Sequence, residues 1–330
     1  MTDKSHLFIA TRGSALALAQ ANMVLARCRA AFPELSFDLK IIKTTGDKLQ
    51  TASLAQESKT LPKGLFTKEL EVALLDGGAD LAVHSLKDLP TDLPTGLKLG
   101  AVGGKREDVR DVLIYCDASY ASSGKRGFKG GTRVKDLPAG AVVASSSTRR
   151  RAQLLRVNPG LKVPDIRGNV ATRMQKVADN PELDATILAL AGIHRLHFTI
   201  ASDGKIQGEN VPAGLLATVL ETDEMLPCVG QGAIGIEVRV DDAQLDRVCA
   251  QLDDAPTHVC VLAERAFLSA MGGGCQSPVA AHAEVFVDEV RMRVLSFADG
   301  PARQAEGKRP LTEAVQLGRE LAAKVKQGQD

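Results

Sequence analysis

The order of strand and helix patterns in the first hundred residues restricts the fold more than any other feature of this sequence. The run HLFIA predicts a short strand, Ser14 to Phe32 an amphipathic helix, and FDLKIIKT a second strand. Leu65 to Asp76 then reads as a helix, and ADLAVHSL as a further strand. Strand–helix–strand order implies a parallel sheet covered by helices, so an α/β domain is expected at the start of the chain.

A second series of the same kind follows, and then the pattern changes. Strands are predicted at DVLIY, AVVASS, KVPDI and DATILAL, with helices at TRRRAQLLRV and NVATRMQKVAD. A further strand, GQGAIGIEVRV, precedes two helical stretches, DDAQLDRVCAQL and THVCVLAERAFLSAM. The hairpin VAAHAEVFV with EVRMRVLSF and the closing helix LTEAVQLGRELAAKV come last. The sequence therefore predicts two doubly wound α/β domains and a small α+β domain.

The composition argues against several classes of protein. The chain has 330 residues, more than one hydrophobic core usually serves, so two or three domains are expected. With no Trp, two Tyr and a net charge of +1, it lacks both the aromatic platforms and the basic surface that bind nucleic acid. No run approaches the ~20 apolar residues that span a bilayer, and Arg12 interrupts the stretch that could pass for a signal peptide. We expect a cytoplasmic protein that binds neither nucleic acid nor membrane.

Basic residues concentrate where predicted strands give way to helices. Free N–H groups and hydroxyls at a helix N-terminus favour an anion, and arginine adds bidentate recognition of carboxylates. Ligands of open α/β sheets lie outside the carboxyl ends of the strands, where these residues fall. One such arginine alone would more simply be a solvated surface charge, but three junctions together predict an anion site. A phosphate ligand stays possible, although no GxxxxGK[ST] motif is present. The junctions are SSSTRRR (Ser145 to Arg151), IRGNVATR (Arg167, Arg173) and IATRGS (Arg12, Ser14).

The motif HSLKDLP places Lys87 and Asp88 just past a predicted strand. A carboxylate there, among positive groups, can hold or move protons on a cationic intermediate. The alternative is that Asp88 caps the next turn, since Pro90 follows closely, and the motif alone does not decide between the two. His84 falls within the strand pattern and is expected to be a packed core histidine.

Of the six cysteines, Cys275 has the most unusual setting. No pair has the spacing of a zinc knuckle or a CxxC motif, so no metal site is predicted. Cys275 follows three glycines and precedes Pro278, which indicates an exposed loop thiol whose reactivity depends on nearby charges. It could equally be an incidental loop cysteine. A cysteine nucleophile would need a histidine partner, and neither His258 nor His282 belongs to a recognisable dyad.

Taken together, seven motifs resemble those of the porphobilinogen deaminase family, also called hydroxymethylbilane synthases. They run in order from about residue 8 to residue 282. HSLKDLP and GGGCQSP are quite specific by themselves, and all seven in register leave little room for chance. The motifs are ATRGSALAL, GLFTKELE, HSLKDLP, RRRAQL, IRGNVATR, VGQGAIGIE and GGGCQSP.

The resemblance implies three domains. Two α/β domains, similar to the lobes of transferrin-like periplasmic binding proteins, enclose the active cleft, and a small α+β domain carries the cofactor cysteine. The strand GAIGIEV is implied to return to the first domain, which is then discontinuous. The implied domains are residues 1–103 with 233–250, residues 109–226 and residues 255–330.

The resemblance also implies an activity. The family joins four porphobilinogen molecules head to tail into the linear tetrapyrrole hydroxymethylbilane, releasing ammonia at each addition. Its dipyrromethane cofactor is held by a thioether to the cysteine that Cys275 matches, and Asp88 matches the catalytic aspartate. No metal or nucleotide is implied, and a monomer is expected. Positions matching those that bind acetate and propionate side chains of cofactor and growing chain are Arg12, Ser14, Lys87, Ser147, Arg149, Arg150, Arg167, Arg173 and Arg195; Phe66 and Gln231 match residues near the reacting pyrroles.

The sequence departs from the family pattern in places. Relatives commonly read GTSSLRR where this chain has ASSSTRRR, so Ala144 and Thr148 replace a glycine and a leucine. Residues 117–133 form a longer segment than usual, and residues 46–64 match the family's mobile active-site loop. The main rival interpretation is a two-lobed anion receptor, which shares the cleft and the arginines but has no covalent cofactor.

Overall fold

The computed structural model describes residues 4–47, 64–120, 125–274, 277–298 and 300–327. Cys275 lies outside these ranges, as do most of the 46–64 loop and four residues of the 117–133 segment. In chain order, the strands are β1 (His6–Thr11), β2 (Ser36–Ile41), β3 (Leu81–Ser85), β4 (Leu97–Val102), β5 (Asp111–Cys116), β6 (Val143–Ala144), β7 (Ala185–Ala189), β8 (Thr199–Ile200), β9 (Ile206–Gln207), β10 (Leu215–Leu220), β11 (Ile234–Arg239), β12 (Val279–Phe286), β13 (Glu289–Ser296) and β14 (Arg303–Pro310). The α-helices are α1 (Ala15–Ala31), α2 (Lys68–Leu75), α3 (Thr148–Val157), α4 (Val170–Asp179), α5 (Leu190–Arg195), α6 (Ala243–Leu252), α7 (Ala255–Ala270) and α8 (Ala314–Gln327).

The first domain is built on a sheet with the strand order β2-β1-β3-β11-β4. β1 is parallel to β2 and β3, as predicted, whereas β11 is antiparallel to both of its neighbours. The parallel pairing predicted for the first hundred residues is confirmed at β1, and β11 is the antiparallel addition to this sheet. This strand enters from the second domain and not through a βαβ crossover, so no crossover helix requires it to run parallel. The helix predicted from Ser14 to Phe32 is confirmed as α1, with these two residues as its caps.

The second domain has the strand order β10-β5-β7-β6, and β5 is again antiparallel to its neighbours. β5 is the strand on which the chain enters this domain, which parallels the situation of β11 in the first. The predicted helices TRRRAQLLRV and NVATRMQKVAD are confirmed as α3 and α4, capped by Ser147 and Asn169. The α/β fold class is thus confirmed for both domains, with mixed sheets in place of parallel ones.

The predicted strand KVPDI is wrong. Lys162 forms an isolated bridge to Val142, and the Pro164 carbonyl accepts from the Ser145 N–H at 2.8 Å, but no strand forms. Pro164 has no N–H to donate to a sheet ladder, and Asp165 is exposed, so the segment runs beside β6 without extending the sheet. It still brings Ile166 back to the strand end, where the Ser146 hydroxyl donates to the Ile166 carbonyl at 2.8 Å.

The 117–133 segment is fastened to the domain at the positions that the structure describes. Phe128 packs edge-on against the buried Tyr115 ring, with centroids 6.0 Å apart. Lys125 donates from Nζ to the carbonyls of Val177, Ala178 and Asn180, the last two at 2.9 and 3.1 Å. These carbonyls belong to the C-terminal end of α4, where a cation is favoured by the free acceptors and the helix dipole.

The third domain is the predicted α+β unit. α7 and α8 pack on the antiparallel sheet β12-β13-β14, and the third strand of that sheet was not predicted. β14 reads RQAEGKRP, which has too few apolar residues for an alternating signal, although its half-buried and exposed positions do alternate. Gly318 allows the two helices to approach closely, because a Cβ there would lie 2.2 Å from the Ala263 carbonyl oxygen. Within the described ranges, no helix has the length and apolar character required to cross a membrane.

An ion pair joins the third domain to the connection between the first two. Arg106 donates from Nη1 and Nη2 to the two carboxylate oxygens of Glu264 on α7, at 2.7 and 2.9 Å, and from Nε to the Gln231 carbonyl at 2.8 Å. Glu264 also accepts from the backbone N–H groups of Gly230 and Ala283. β11 lies in the first sheet, where the resemblance places this strand, but the exact domain boundaries stay predictions.

Candidate active site

One wall of the candidate site is a recess on the first domain. The end of β1, the start of α1, the segment before α2 and the end of β3 meet there because the carboxyl ends of parallel strands lie at one edge of the sheet. The recess encloses a cavity of about 60 Å³. Its lining residues are Arg12, Ser14, Leu16, Ala17, Gln20, Phe66, Thr67, Val83, His84, Ser85 and Asp88. Four residues predicted from three motifs, Arg12, Ser14, Phe66 and Asp88, therefore share one recess.

Arg12 is held by an acidic residue that sequence reasoning did not single out. Its Nη2 lies 2.5 Å from Oδ1 of Asp47, and its Nε donates to the same carboxylate at 3.2 and 3.3 Å. The guanidinium carbon lies 4.2 Å from the centroid of the Phe66 ring, in cation–π contact. Burial by itself would raise the pKa of Asp47, but hydrogen bonds from Arg12 and Thr44, with the Arg12 charge, bring it below its ordinary value.

Asp88 ends a short 3₁₀ turn, Leu86–Asp88, that directly follows β3. The carboxylate is half-buried and faces the recess. The negative charge of Asp88 also acts on Arg173, on α4 of the second domain. Burial and the positive charge of Arg150 lower the pKa of Arg173 to about 10, and Asp88 opposes that decrease. Asp88 and Arg173, although they belong to different domains, therefore lie near enough for their charges to interact.

The second wall is a buried network around Asp111, the first residue of β5. Arg149 Nη2 and Arg150 Nη2 each donate to one oxygen of this carboxylate at 2.7 Å. Their Nη1 groups donate to the Leu226 and Ile187 carbonyls. Burial would raise the pKa of Asp111, but the two guanidinium charges hold it far below its ordinary value.

Gln231 belongs to the same network. It is fully buried, and its Nε2 donates to the Val109 carbonyl at 2.6 Å and to Oδ1 of Asp111 at 2.9 Å. The sequence did not identify Asp111, although one signal was available: it is an acidic residue that opens an otherwise apolar strand. Its partners lie 38 to 120 positions away in the chain, a separation at which sequence patterns carry no pairing information.

The remaining predicted arginines differ in how they are held. Arg195 is buried and donates to the Gly232 carbonyl at 2.6 Å; burial lowers its pKa to about 10, opposed in part by Glu107. Arg173 is half-buried and donates from Nε to the Gly168 carbonyl. Arg167 is exposed. Ser147 accepts from the Arg150 backbone N–H at 3.4 Å as the cap of α3.

The cleft carries an excess of buried positive charge, which suits a ligand with several carboxylates. Two guanidiniums share the single carboxylate of Asp111, and burial lowers the pKa of both the half-buried Arg173 and the buried Arg195. Buried charges are normally balanced, so this arrangement favours an anionic ligand. A dipyrromethane bearing acetate and propionate groups fits it. In the described part of the chain, no three His, Cys, Asp or Glu side chains are placed to hold a metal ion.

Cys275 lies outside the described residues, so its predicted place on a loop stays a prediction. The residues before it form a turn after α7, where the Gly272 N–H donates to the Ser269 carbonyl at 2.9 Å. Beyond it, the Ser277 N–H donates to the Gly274 carbonyl at 2.9 Å. α7, which leads into this turn, is the helix that Arg106 holds through Glu264.

Comparisons with known proteins agree with the motifs. A family model described as "Porphobilinogen deaminase, dipyromethane cofactor binding domain" matches residues 7–247, and one described as "Porphobilinogen deaminase, C-terminal domain" matches residues 258–327. Among solved structures, the methionine-binding protein MetQ aligns with a TM-score of 0.40 and 12% identity, covering 76% of this chain and 91% of that one.

Curated relatives named porphobilinogen deaminase cover most of the chain. The protein of Chloroherpeton thalassium is 44% identical over 282 residues, 86% of this chain and 80% of the relative. That of Desulforudis audaxviator is 46% identical over 278 residues, with 84% and 80% covered. That of Chlorobaculum tepidum is 41% identical over 320 residues, with 97% and 92% covered. With both family models matched and this identity along nearly its whole length, the chain belongs to the porphobilinogen deaminase family.

Proposed function

We propose that this chain condenses porphobilinogen in the cleft between its first two domains, with Asp88 as the catalytic carboxylate and Cys275 as the attachment point of the dipyrromethane. The family makes the chain an enzyme of hydroxymethylbilane synthesis in tetrapyrrole biosynthesis. The observation that carries the assignment of residues is that Asp88 shares a recess with Arg12, Ser14 and Phe66. Arg173 of the second domain lies near enough for its charge to interact with that of Asp88.

The arginines of the cleft bind carboxylates in this proposal. Each pyrrole unit carries an acetate and a propionate group, so a growing chain presents many negative charges. Arg173 and Arg195 are poorly solvated cations, and an arriving carboxylate stabilises them more than it would stabilise a surface arginine. Arg149 and Arg150 together contribute one net positive charge from the buried network, because Asp111 neutralises only one of the two guanidiniums.

Asp88 has two roles in this proposal, stabilising a cationic intermediate and accepting a proton. Loss of ammonia from the aminomethyl group of porphobilinogen breaks a C–N bond and leaves a cation delocalised over the pyrrole ring. A half-buried carboxylate stabilises that cation and can accept the proton that leaves when the new C–C bond has formed. When bound, the dipyrromethane supplies the pyrrole carbon to which the first substrate adds.

Intact mass of the purified protein tests the attachment. We expect the wild-type chain to carry the extra mass of two pyrrole units through denaturation, and Cys275→Ala to lose both that mass and turnover. Cys228→Ala, which removes another thiol that is not fully buried, is the control and should keep the adduct. An active wild-type enzyme of unmodified mass would contradict the proposal.

Replacing Asp88 tests the catalytic role separately. Asp88→Asn keeps the shape of the side chain and should keep the cofactor mass, but it should lose most of kcat, by a factor on the order of 10² to 10⁴ expected for removal of a general acid–base group. Turnover equal to that of the wild type would assign Asp88 to the cap of the following turn instead.

The proposal also covers the cellular setting and the assembly state. Porphobilinogen is the small-molecule partner that the family implies, and we propose a cytoplasmic monomer without nucleic-acid partners. Light scattering on the cofactor-loaded protein tests the assembly state: a mass near 34.9 kDa is expected for a monomer, and a multiple of it would contradict this.

A further inference from the structure

A buried acid–base pair lies directly behind the turn that carries Asp88. His84 on β3 and Glu237 on β11 meet through Nε2 and Oε2 at 3.0 Å, and their side chains are only 3% and 0% exposed. The sequence identified His84 as a core residue, and this is confirmed, but its partner is 153 positions away. Only one oxygen of Glu237 is satisfied; its Oε1 is buried with no hydrogen-bond partner in the described chain.

A second carboxylate joins this pair from α2. Glu71 is largely buried, and burial raises its pKa. The Thr67 hydroxyl and His84 oppose that increase, while the negative charge of Glu237 adds to it. The Oε1 atom of Glu71, like that of Glu237, is buried without a partner among the described residues. We call His84, Glu237 and Glu71 the acid–base cluster.

The acid–base cluster is connected to the candidate active site by the cavity in the recess. His84 and Asp88 both line it, as do Thr67 and Ser85. Its volume of about 60 Å³ is enough for two water molecules, at about 30 Å³ each, and its walls are polar enough to retain them. Waters there would relay protons between Asp88 and the imidazole.

Stability alone does not account for the cluster. Burying an imidazole and two carboxylates costs free energy, and well-packed apolar side chains would serve the sheet as well or better. A metal ion is not the explanation either, because no metal-binding group of three such side chains occurs in the described ranges. Buried titratable side chains that meet beside a cavity of the candidate site are typical of sites that hold and release protons.

We propose that the acid–base cluster is a buried proton store for the condensation reaction, exchanging protons with Asp88 through water in the recess. The proposal rests on the catalytic role of Asp88 proposed above. In each condensation the C–N bond of the aminomethyl group breaks, a C–C bond forms and the attacked carbon loses a proton. The cluster begins each cycle protonated and gives its proton to the ammonia that leaves, which departs as ammonium. Asp88 then takes the proton from the attacked carbon and returns it to the cluster. No net proton is gained or lost, and no oxidant or reductant is needed.

The charged groups around the acid–base cluster determine how removal of the Glu237 charge should affect proton binding there. Glu71 and Glu69 face it from α2, and Glu237 faces it from β11. Asp88 and Arg12 also line the recess, and Arg12 is paired with Asp47. Removing the Glu237 charge therefore weakens the hold on a proton both at the imidazole and at Glu71, so both effects act in the same direction.

The experiment is the pH profile of kcat for Glu237→Gln, measured on cofactor-loaded enzyme. We expect the ionisation that limits kcat to move to lower pH by on the order of one unit, with the intact mass of the cofactor unchanged. With porphobilinogen deuterated at its free α-carbon, the isotope effect on kcat should increase, because proton removal becomes slower. His84→Gln should shift the profile as well, and Glu237→Asp should restore the wild-type profile in part.

Asp80→Asn is the matched control. Asp80 is another buried carboxylate of the first domain, paired with Lys4 and Arg239, and it does not line the recess. It should lower stability without moving the pH profile. A Glu237→Gln enzyme with reduced kcat but an unmoved profile and isotope effect would reduce the cluster to a structural role and overturn the proposal. If Glu237→Gln does not fold, Glu71→Gln gives the same test.

Failure of this inference can be told apart from failure of the proposed function. If Asp88→Asn retains full turnover, the role of Asp88 is wrong and the cluster loses its proton donor. If Asp88→Asn is inactive while Glu237→Gln and Glu71→Gln both keep the wild-type profile, only the proton store is wrong.

Discussion

The two walls of the cleft hold their arginines in different ways. On the second domain, Arg149 and Arg150 are locked to Asp111 in a fully buried network. On the first domain, Arg12 is paired with Asp47 in a partly exposed contact, with side chains 18% and 25% exposed. A fully buried guanidinium cannot leave its carboxylate without a large cost in free energy, whereas a partly exposed one can exchange it for another anion. The second wall is therefore preassembled, and the first is exchangeable.

The largest effect is expected from removing the anchor of the preassembled wall. Asp111→Asn leaves two buried guanidiniums without a counter-charge, and should lower the free energy of unfolding by about 3–5 kcal/mol. Urea denaturation of the cofactor-loaded protein measures this. The control is Asp108→Asn, which disrupts a partly exposed pair with Arg110 and should cost no more than about 1 kcal/mol. Equal losses in the two variants would remove the distinction between the walls.

A smaller effect is expected from changing the shape of one cation in that wall. Arg149→Lys keeps the charge but cannot reach both Asp111 and the Leu226 carbonyl, so a loss of about 1–3 kcal/mol is expected, with less cofactor retained by intact mass. Arg151→Lys is the control, because Arg151 pairs with an exposed Asp165 and should change stability by about 0.5 kcal/mol or less. A full cofactor load and unchanged stability in Arg149→Lys would show that charge alone matters there.

The exchangeable wall should respond in binding more than in stability. Asp47→Asn removes the carboxylate that competes with substrate for Arg12, so KM for porphobilinogen should fall about threefold while stability changes by about 1 kcal/mol or less. Steady-state kinetics test this. Asp38→Asn, at an exposed pair with Arg29, should leave KM unchanged. A higher KM in Asp47→Asn would mean that Asp47 orients Arg12 for substrate and does not compete with it.

The smallest expected effect is the pH dependence of the stability that the pair of Asp47 and Arg12 contributes. The pKa of Asp47 is lowered in the folded protein, so its pair with Arg12 contributes fully above the ordinary Asp value of 3.8 and is lost as the pH falls through the lowered value. The small difference in stability between wild type and Asp47→Asn should therefore persist at pH 5 to 7 and vanish in stronger acid. Denaturation series at several pH values would show this. A difference that grows on acidification would have the wrong sign.

Sequence patterns predicted local features well and long-range pairing poorly. α1, α3 and α4 were placed correctly because apolar spacing and a cap such as Ser14 or Asn169 are encoded within a few residues. The direction of β11 was missed because it depends on a strand 150 residues earlier. β14 was missed because one face of it is solvated and carries little apolar signal.

The same limit applies to the site. Three separate motifs predicted Asp88, Phe66 and the pair Arg12 and Ser14, and the fold brings all four residues to one recess. It proposed Arg149 and Arg150 as ligands of an anion, but gave no sign that Asp111 already shares them. Tertiary contacts determine which carboxylate pairs with a given arginine. A charged motif therefore indicates a binding site, but it does not show how much of its charge is already neutralised by other residues of the protein.

The contacts of Lys125 limit how far the loop between β5 and β6 can be shortened. A surface loop longer than usual can ordinarily be trimmed with little change in closure entropy. Here the loop between β5 and β6 supplies the ammonium that satisfies the carbonyl end of α4. Deleting it would expose those acceptors at one end of a helix whose other end positions Arg173. The minimum length of this loop is therefore set by a helix on a different part of the domain, and not by the distance that the loop has to span.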